Sequence, residues 1–231
     1  MVQVSSGIIP RLARPLALAL SPGLGESGRS HWIALARPLW SSMQALLVSA
    51  GVVAVSEIGD KTQLLALLLA SRFRKPLPII GGILLATTLN HTLAGLVGEW
   101  AASAIDPALL RWPLGLLFIA MGLWALVPDK LDQPRTSRLA AGGAFAATAL
   151  SFFIAEMGDK TQLATAALAA RFDTVIPVVI GTTTGMMIAD VPAVLCGHLL
   201  GDKIKARWIR LVAAALFIAL GLIGLLGIGG L

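Results

Sequence analysis

The chain has 231 residues, of which 57% are hydrophobic and only 13% charged. A soluble domain carries about 25% charged residues, so this composition excludes an ordinary soluble enzyme or binding module and points to an all-α integral membrane protein. The formal charge of +6 does not indicate a nucleic-acid partner, because the cations gather in short loops between apolar runs, where they set membrane topology.

Residues 1–42 stand apart. They hold Arg11, Arg14, Arg29 and Arg37 against one acid, Glu26, and their apolar piece at 15–20 is short, whereas a span needs about 20 residues. We expect a leader here: a transit segment, a disordered tail, or an extension upstream of a start at Met43. Six apolar spans follow, at about 43–70, 77–100, 109–127, 139–170, 175–200 and 208–228. A polar linker at 128–138 separates one half, 43–127, from the other, 139–231. The single cysteine, Cys196, lies in an apolar stretch and reads as a small packing residue.

The first span carries Glu57-Ile58-Gly59-Asp60-Lys61-Thr62-Gln63. The fourth carries Glu156-Met157-Gly158-Asp159-Lys160-Thr161-Gln162, 99 residues later. The echo continues at the same offset: Arg72-Phe73 returns as Arg171-Phe172, Pro78 as Pro177, and Leu117-Phe118-Ile119-Ala120 as Leu216-Phe217-Ile218-Ala219. The chain is two copies of one unit. Each copy has three spans, an odd number, so the second enters the membrane from the opposite side. The expected fold is six transmembrane helices as two inverted three-helix repeats. Many secondary transporters are built this way, with a site near the midplane. The first and fourth spans exceed the length a flat bilayer requires, so a tilt or a break is expected, with the glycine of each motif as the place for a break.

Loop charge supplies an orientation. Arg72, Arg74 and Lys75 follow span one, Lys130, Arg135 and Arg138 follow span three, and Lys203, Lys205 and Arg207 follow span five. These loops, the linker included, are expected in the cytoplasm.

A charge inside an apolar span is costly and marks function by default. Residues three apart share a helix face, so Glu57 and Asp60 are expected to project together, as are Glu156 and Asp159. Gln63 and Gln162 add amide oxygens. Such hard oxygen ligands suit Mn²⁺, Ca²⁺ or Mg²⁺. Lys61 and Lys160 follow each Glu by four positions, the spacing of a helical ion pair. Four carboxylates and two lysines leave a net charge of −2. One divalent cation or two protons neutralise it, which suggests exchange of one for the other. The competing reading is a buried salt-bridge network that only clamps the repeats, although such networks are weak sources of stability.

The duplicated Glu-x-Gly-Asp-Lys-Thr-Gln pattern resembles that of uncharacterised protein family 0016, the cation/proton antiporters of Golgi, plastid and bacterial membranes. The resemblance covers residues 43–231. It implies proton-driven export of Mn²⁺ or Ca²⁺ from the cytosol, with Glu57, Asp60, Glu156 and Asp159 at the cation site. The short linker is similar to that of bacterial members, associated with manganese export from across the inner membrane. The leader leaves an organellar membrane and Ca²⁺/proton exchange open.

Other polar residues lie within the spans. His91 of span two corresponds to Asp190 of span five at the 99-residue offset. Together with Lys61 and Lys160 they are candidates for proton coupling or ion pairing. Thr62, Thr161 and Asn90 are candidates to support the ligands, while interhelical hydrogen bonding is the reading favoured for Asn90 and the threonines of spans two and five. Two further functions compete: an intramembrane metal-dependent enzyme and a structural membrane subunit. No His-Glu-x-x-His, Gly-x-Ser-x-Gly or phosphate-loop pattern is present, so no enzyme activity and no cofactor are expected. The expected partners are divalent cations, protons and the bilayer, with a homodimer open.

Overall fold

The computed structural model describes residues 26–127, 143–195 and 206–227. The linker at 128–138, Cys196, Lys203 and Lys205 lie outside the described residues. Within them there are eight α-helices: α1 Glu26–Glu57, α2 Lys61–Phe73, α3 Pro76–Ala104, α4 Pro107–Ala125, α5 Gly143–Glu156, α6 Lys160–Phe172, α7 Ile176–Leu195 and α8 Ala206–Leu225.

The expected first and fourth spans are each two helices. The break falls at the motif in both, as α1–α2 and α5–α6. The expected boundary at residue 42 falls inside α1, which begins at Glu26 and runs unbroken past Pro38. Three helices are long and apolar enough to cross a membrane alone: the Pro38–Glu57 part of α1, α3 and α7. Within α4 and α8, Leu109–Ala125 and Leu211–Leu225 are shorter apolar stretches, as is α5. Helices α2 and α6 close on Arg74 and Asp173, left-handed residues (φ 50° and 49°) whose N–H groups bond to Ala70 O and Ala169 O. Proline at the first turn then opens α3, where its missing N–H costs nothing.

The bundle is apolar on its outside and holds polar groups among the apolar residues of its interior. On α3, Leu85, Leu89, Leu93 and Leu96 are exposed, while Thr87, Asn90 and His91 are buried. On α7, Ile180 and Ile188 are exposed and Thr182 and Asp190 buried. Water would favour the reverse; a lipid surround favours what is seen.

Packing between the halves is reciprocal. Helix α7 lies on α1, and its counterpart α3 lies on α5. One pair of contacts matches residue for residue at the 99-residue offset. A Cβ at Gly82 would meet Phe145 O and Thr148 Cβ, both at 2.8 Å; one at Gly181 would run into Leu46 O, with Ser49 Cβ at 2.9 Å. Helices α4 and α8 cross each other, and Phe118 stacks on its own counterpart Phe217, with centroids 6.5 Å apart. Glycine at these crossings lets backbones approach where lipid gives no hydrophobic drive for association.

Candidate cation site

Each motif builds the same broken helix. Gly59 (φ 82°) and Gly158 (φ 75°) take the left-handed conformation, which a residue with a Cβ adopts only at a cost. The chain then turns extended at Asp60 (φ −86°, ψ 174°) and Asp159 (φ −80°, ψ 167°), the N-caps of α2 and α6. Asp60 Oδ1 accepts from Lys61 N at 2.8 Å. Glutamine stabilises the break from within: Gln63 Oε1 accepts from Gly59 N at 2.8 Å, and Gln162 Oε1 from Gly158 N at 2.7 Å. These oxygens, read from the sequence as ligand atoms, meet backbone N–H groups that the break leaves open. Gln63 Nε2 donates onward to Ala189 O on α7 at 3.1 Å.

The threonines hold the glutamates. Thr62 Oγ1 donates to Glu57 Oε2, and Thr161 Oγ1 donates to Glu156 Oε2 at 2.9 Å. The second oxygen of each glutamate, Oε1, is buried with no hydrogen-bond partner among the described residues. Both glutamates are fully buried. Glu57, Glu156 and Asp159 each place one oxygen within 4.8 Å of the others. Two oxygens on opposite sides of a divalent cation at 2.0–2.6 Å lie about 4–5 Å apart, so this spacing suits one ion.

The lysines differ from expectation. Neither is placed on its own glutamate. Lys61 Nζ lies 3.2 Å from Asp159 Oδ1, and Lys160 Nζ lies 2.8 Å from Asp60 Oδ2. Both pairs cross between repeats. The cause is the break: with Gly59 outside the helix, the four-residue spacing no longer lies along one face, so the helical pairing rule does not operate. For the same reason Glu57 and Asp60 do not share a helix face; they end one helix and cap the next.

Asp190 is fully buried on α7, and neither carboxylate oxygen has a hydrogen-bond partner among the described residues. His91, its counterpart on α3, is also fully buried with both ring nitrogens unpartnered. Asn90 Nδ2 donates to Phe153 O on α5 at 3.1 Å, the interhelical bond read from the sequence. Two buried hydroxyls, Ser49 and Thr148, were not singled out, although they too are related by the 99-residue offset. The repeat was the signal that would have found them.

The arrangement brings carboxylate oxygens from both repeats together in the interior, beside two lysines that balance part of their charge. It offers charge for a cation and for protons.

Comparison with known proteins agrees with this chemistry. The family described as "Divalent cation/proton antiporter GDT1" matches residues 45–133 and 144–228. A Vibrio cholerae protein named "Putative manganese exporter" is 49% identical over 181 residues, covering 78% of this chain and 90% of the relative. A rice protein named "GDT1-like protein 3" is 28% identical over 215 residues, 81% of this chain and 76% of that protein. An Arabidopsis thaliana protein named "Protein PAM71-homolog, chloroplastic" is 29% identical over 216 residues, 77% of this chain and 60% of that one. No solved structure matches the chain.

Proposed function

The chain belongs to the GDT1 family of divalent cation/proton antiporters, and from that premise we propose that it exports Mn²⁺ from the cytosol in exchange for protons. The observation that carries this reading is the cluster of Glu57, Glu156 and Asp159, three buried carboxylates drawn from two repeats to within 4.8 Å. Manganese is favoured over calcium by the name and 49% identity of the Vibrio cholerae relative. In this reading the membrane is a bacterial inner membrane, which the bacterial source of that relative supports.

In this reading the six spans are two inverted repeats, with the linker at 128–138 in the cytoplasm. The reciprocal contacts of Gly82 with Phe145 and of Gly181 with Leu46 support a two-fold relation, as do the crossed ion pairs. Cation binding replaces water with Glu57 Oε1, Glu156 Oε1 and an oxygen of Asp159. Asp60 completes the set as its bond to Lys160 loosens. Release on the far side is accompanied by protonation of carboxylates, which restores neutrality for the return step. Alternating access then comes from rocking one repeat against the other around the fixed site. Asp190 and His91 stand beside the path as carriers for the proton.

The test is transport by the purified full chain in proteoliposomes with a proton-sensitive dye inside. An imposed Mn²⁺ gradient is expected to move protons the opposite way, and Ca²⁺ to move them less. Proton movement driven by Ca²⁺ alone would replace manganese by calcium in this reading, and movement by neither would overturn antiport.

A further inference from the structure

Away from the motifs, the end of α6 meets the start of α4 and the end of α8 around a cavity of about 210 Å³. Its walls are apolar, including Leu110, Leu114, Phe118 and Leu220. Two guanidinium groups line it, Arg171 and Arg111. Arg171 is the unusual one. Its Nε and Nη1 are buried without a hydrogen-bond partner, and no carboxylate among the described residues lies within ion-pair distance of it. The contact it does make is with the face of Phe172, 5.6 Å from the ring centroid. An arginine cannot shed its proton, and a buried polar donor left unpaired is costly. The charge therefore calls for an anion that no described residue supplies at ion-pair distance.

The cavity describes that anion. Arg111 and Arg171 give two positive charges, and Asp173 on the same wall gives one negative, so the net is +1. A phosphodiester, with one negative charge, balances it; inorganic phosphate near neutral pH carries more. The flanking aromatics fix the depth. Arg111 lies over Trp112 at 5.3 Å, and Trp112 is half-exposed, the position of an aromatic belt at the headgroup level.

We infer that this cavity is a binding site for an anionic phospholipid, whose phosphodiester is held in the fork of Arg171 and by Arg111, with its glycerol and acyl chains along Leu110, Leu114 and Leu220. The guanidinium fork is suited to two phosphate oxygens at once. The site is separate from the cation cluster and takes its ligand whichever metal the protein carries.

The experiment uses the full chain, purified in detergent, stripped of lipid and titrated with phosphatidylglycerol while bound lipid is counted by native mass spectrometry. Diacylglycerol, which has the chains without the phosphate, and inorganic phosphate are the controls. One phosphatidylglycerol is expected to bind the native protein, with affinity about tenfold lower in Arg171→Gln, the size of one lost charge-assisted bond. The exposed Arg111→Gln is expected to lose about threefold, as for a screened contact, and decides the matter if Arg171→Gln fails to fold. Diacylglycerol is expected to bind weakly and equally to all three proteins. Equal phosphatidylglycerol binding by the native protein and the variants would overturn the site. Displacement of the lipid by millimolar inorganic phosphate would overturn the lipid and leave a free-anion pocket.

Discussion

Lys160 reaches out of the second repeat to Asp60 of the first, Nζ to Oδ2 at 2.8 Å, with both side chains almost wholly buried. Its counterpart pair, Lys61 with Asp159, is longer at 3.2 Å, and Lys61 is 25% exposed. Two copies of one motif thus make one tight, dry pair and one looser, wetter pair.

That inequality predicts unequal costs. Lys160→Met leaves the Asp60 carboxylate buried without its partner and is expected to destabilise the protein by about 3–5 kcal/mol. Lys61→Met also leaves a buried carboxylate, Asp159, but removes a lysine that is already 25% exposed, and is expected to cost less, about 1–3 kcal/mol. Thermal unfolding in detergent measures both. The double variant Asp60→Asn with Lys160→Met is expected to recover most of the stability and none of the transport. Equal losses for the two lysines would contradict the asymmetry.

The carboxylates answer to a different measurement. Glu57→Gln, Glu156→Gln, Asp60→Asn and Asp159→Asn each remove one charge and keep the shape. The net −2 of the motifs becomes −1, which no longer balances a divalent ion in a low-dielectric interior. Metal-driven proton movement is expected to collapse in each while the protein still inserts and folds. Near-normal activity in any two would sink the single-site arrangement.

Protons and metal are expected to compete. The ligands must be deprotonated to hold the ion, so apparent metal affinity should fall as pH falls and rise as pH rises, until the carboxylates are fully ionised. Isothermal titration of the purified protein at a series of pH values reads this directly, together with proton release on metal binding. Affinity independent of pH would separate metal binding from proton exchange.

Helix contacts give a prediction that transport does not enter. Gly98 of α3 sits against α6, where a Cβ would strike the Ala166 carbonyl and lie 3.0 Å from its Cα. Backbone cannot yield as a side chain does, so Gly98→Ala is expected to cost about 1–3 kcal/mol or more. Gly51 lies in the interior of α1 with nothing within 4 Å of such a Cβ, and Gly51→Ala is expected to gain about 0.5–1 kcal/mol. Paired melting curves test the contrast. A gain in both would mean that α3 and α6 are not in contact at Gly98.

Cysteine labelling tests the inversion. In a Cys196-free background, single cysteines near Arg74 and near Asp173 are expected to react from opposite faces of the membrane. These two residues hold the same left-handed cap in the two copies, so they report the same structural point twice. Labelling of both from one side would rule out inverted repeats.

Much of this was legible in the residues alone. The duplication was written at a constant offset, and the glycine inside each motif marked the place where the helix breaks, because no other residue takes φ near +80° so readily. The interhelical role of Asn90 followed from an amide in an apolar span. The pairing of Lys61 and Lys160 was not legible. A four-residue spacing speaks for a partner on the same helix only if the helix is continuous, and Gly59 and Gly158 end that continuity. The amide oxygens of Gln63 and Gln162 were misplaced for the same reason: the break opens backbone N–H groups beside them, and nearby donors are met first.

The sequence by itself determined that there are two like units, that each carries two carboxylates and a lysine among apolar residues, and that the apolar faces belong in lipid, because composition and repetition are local properties of the chain. Only the tertiary structure decided which carboxylate meets which lysine, that Asp190 and His91 stand without hydrogen-bond partners among the described residues, and that Arg171 lines a cavity with two of its guanidinium nitrogens buried. Those facts rest on residues far apart in the chain, such as Lys160 and Asp60, and no periodicity along the chain encodes a contact between two helices that only packing brings together.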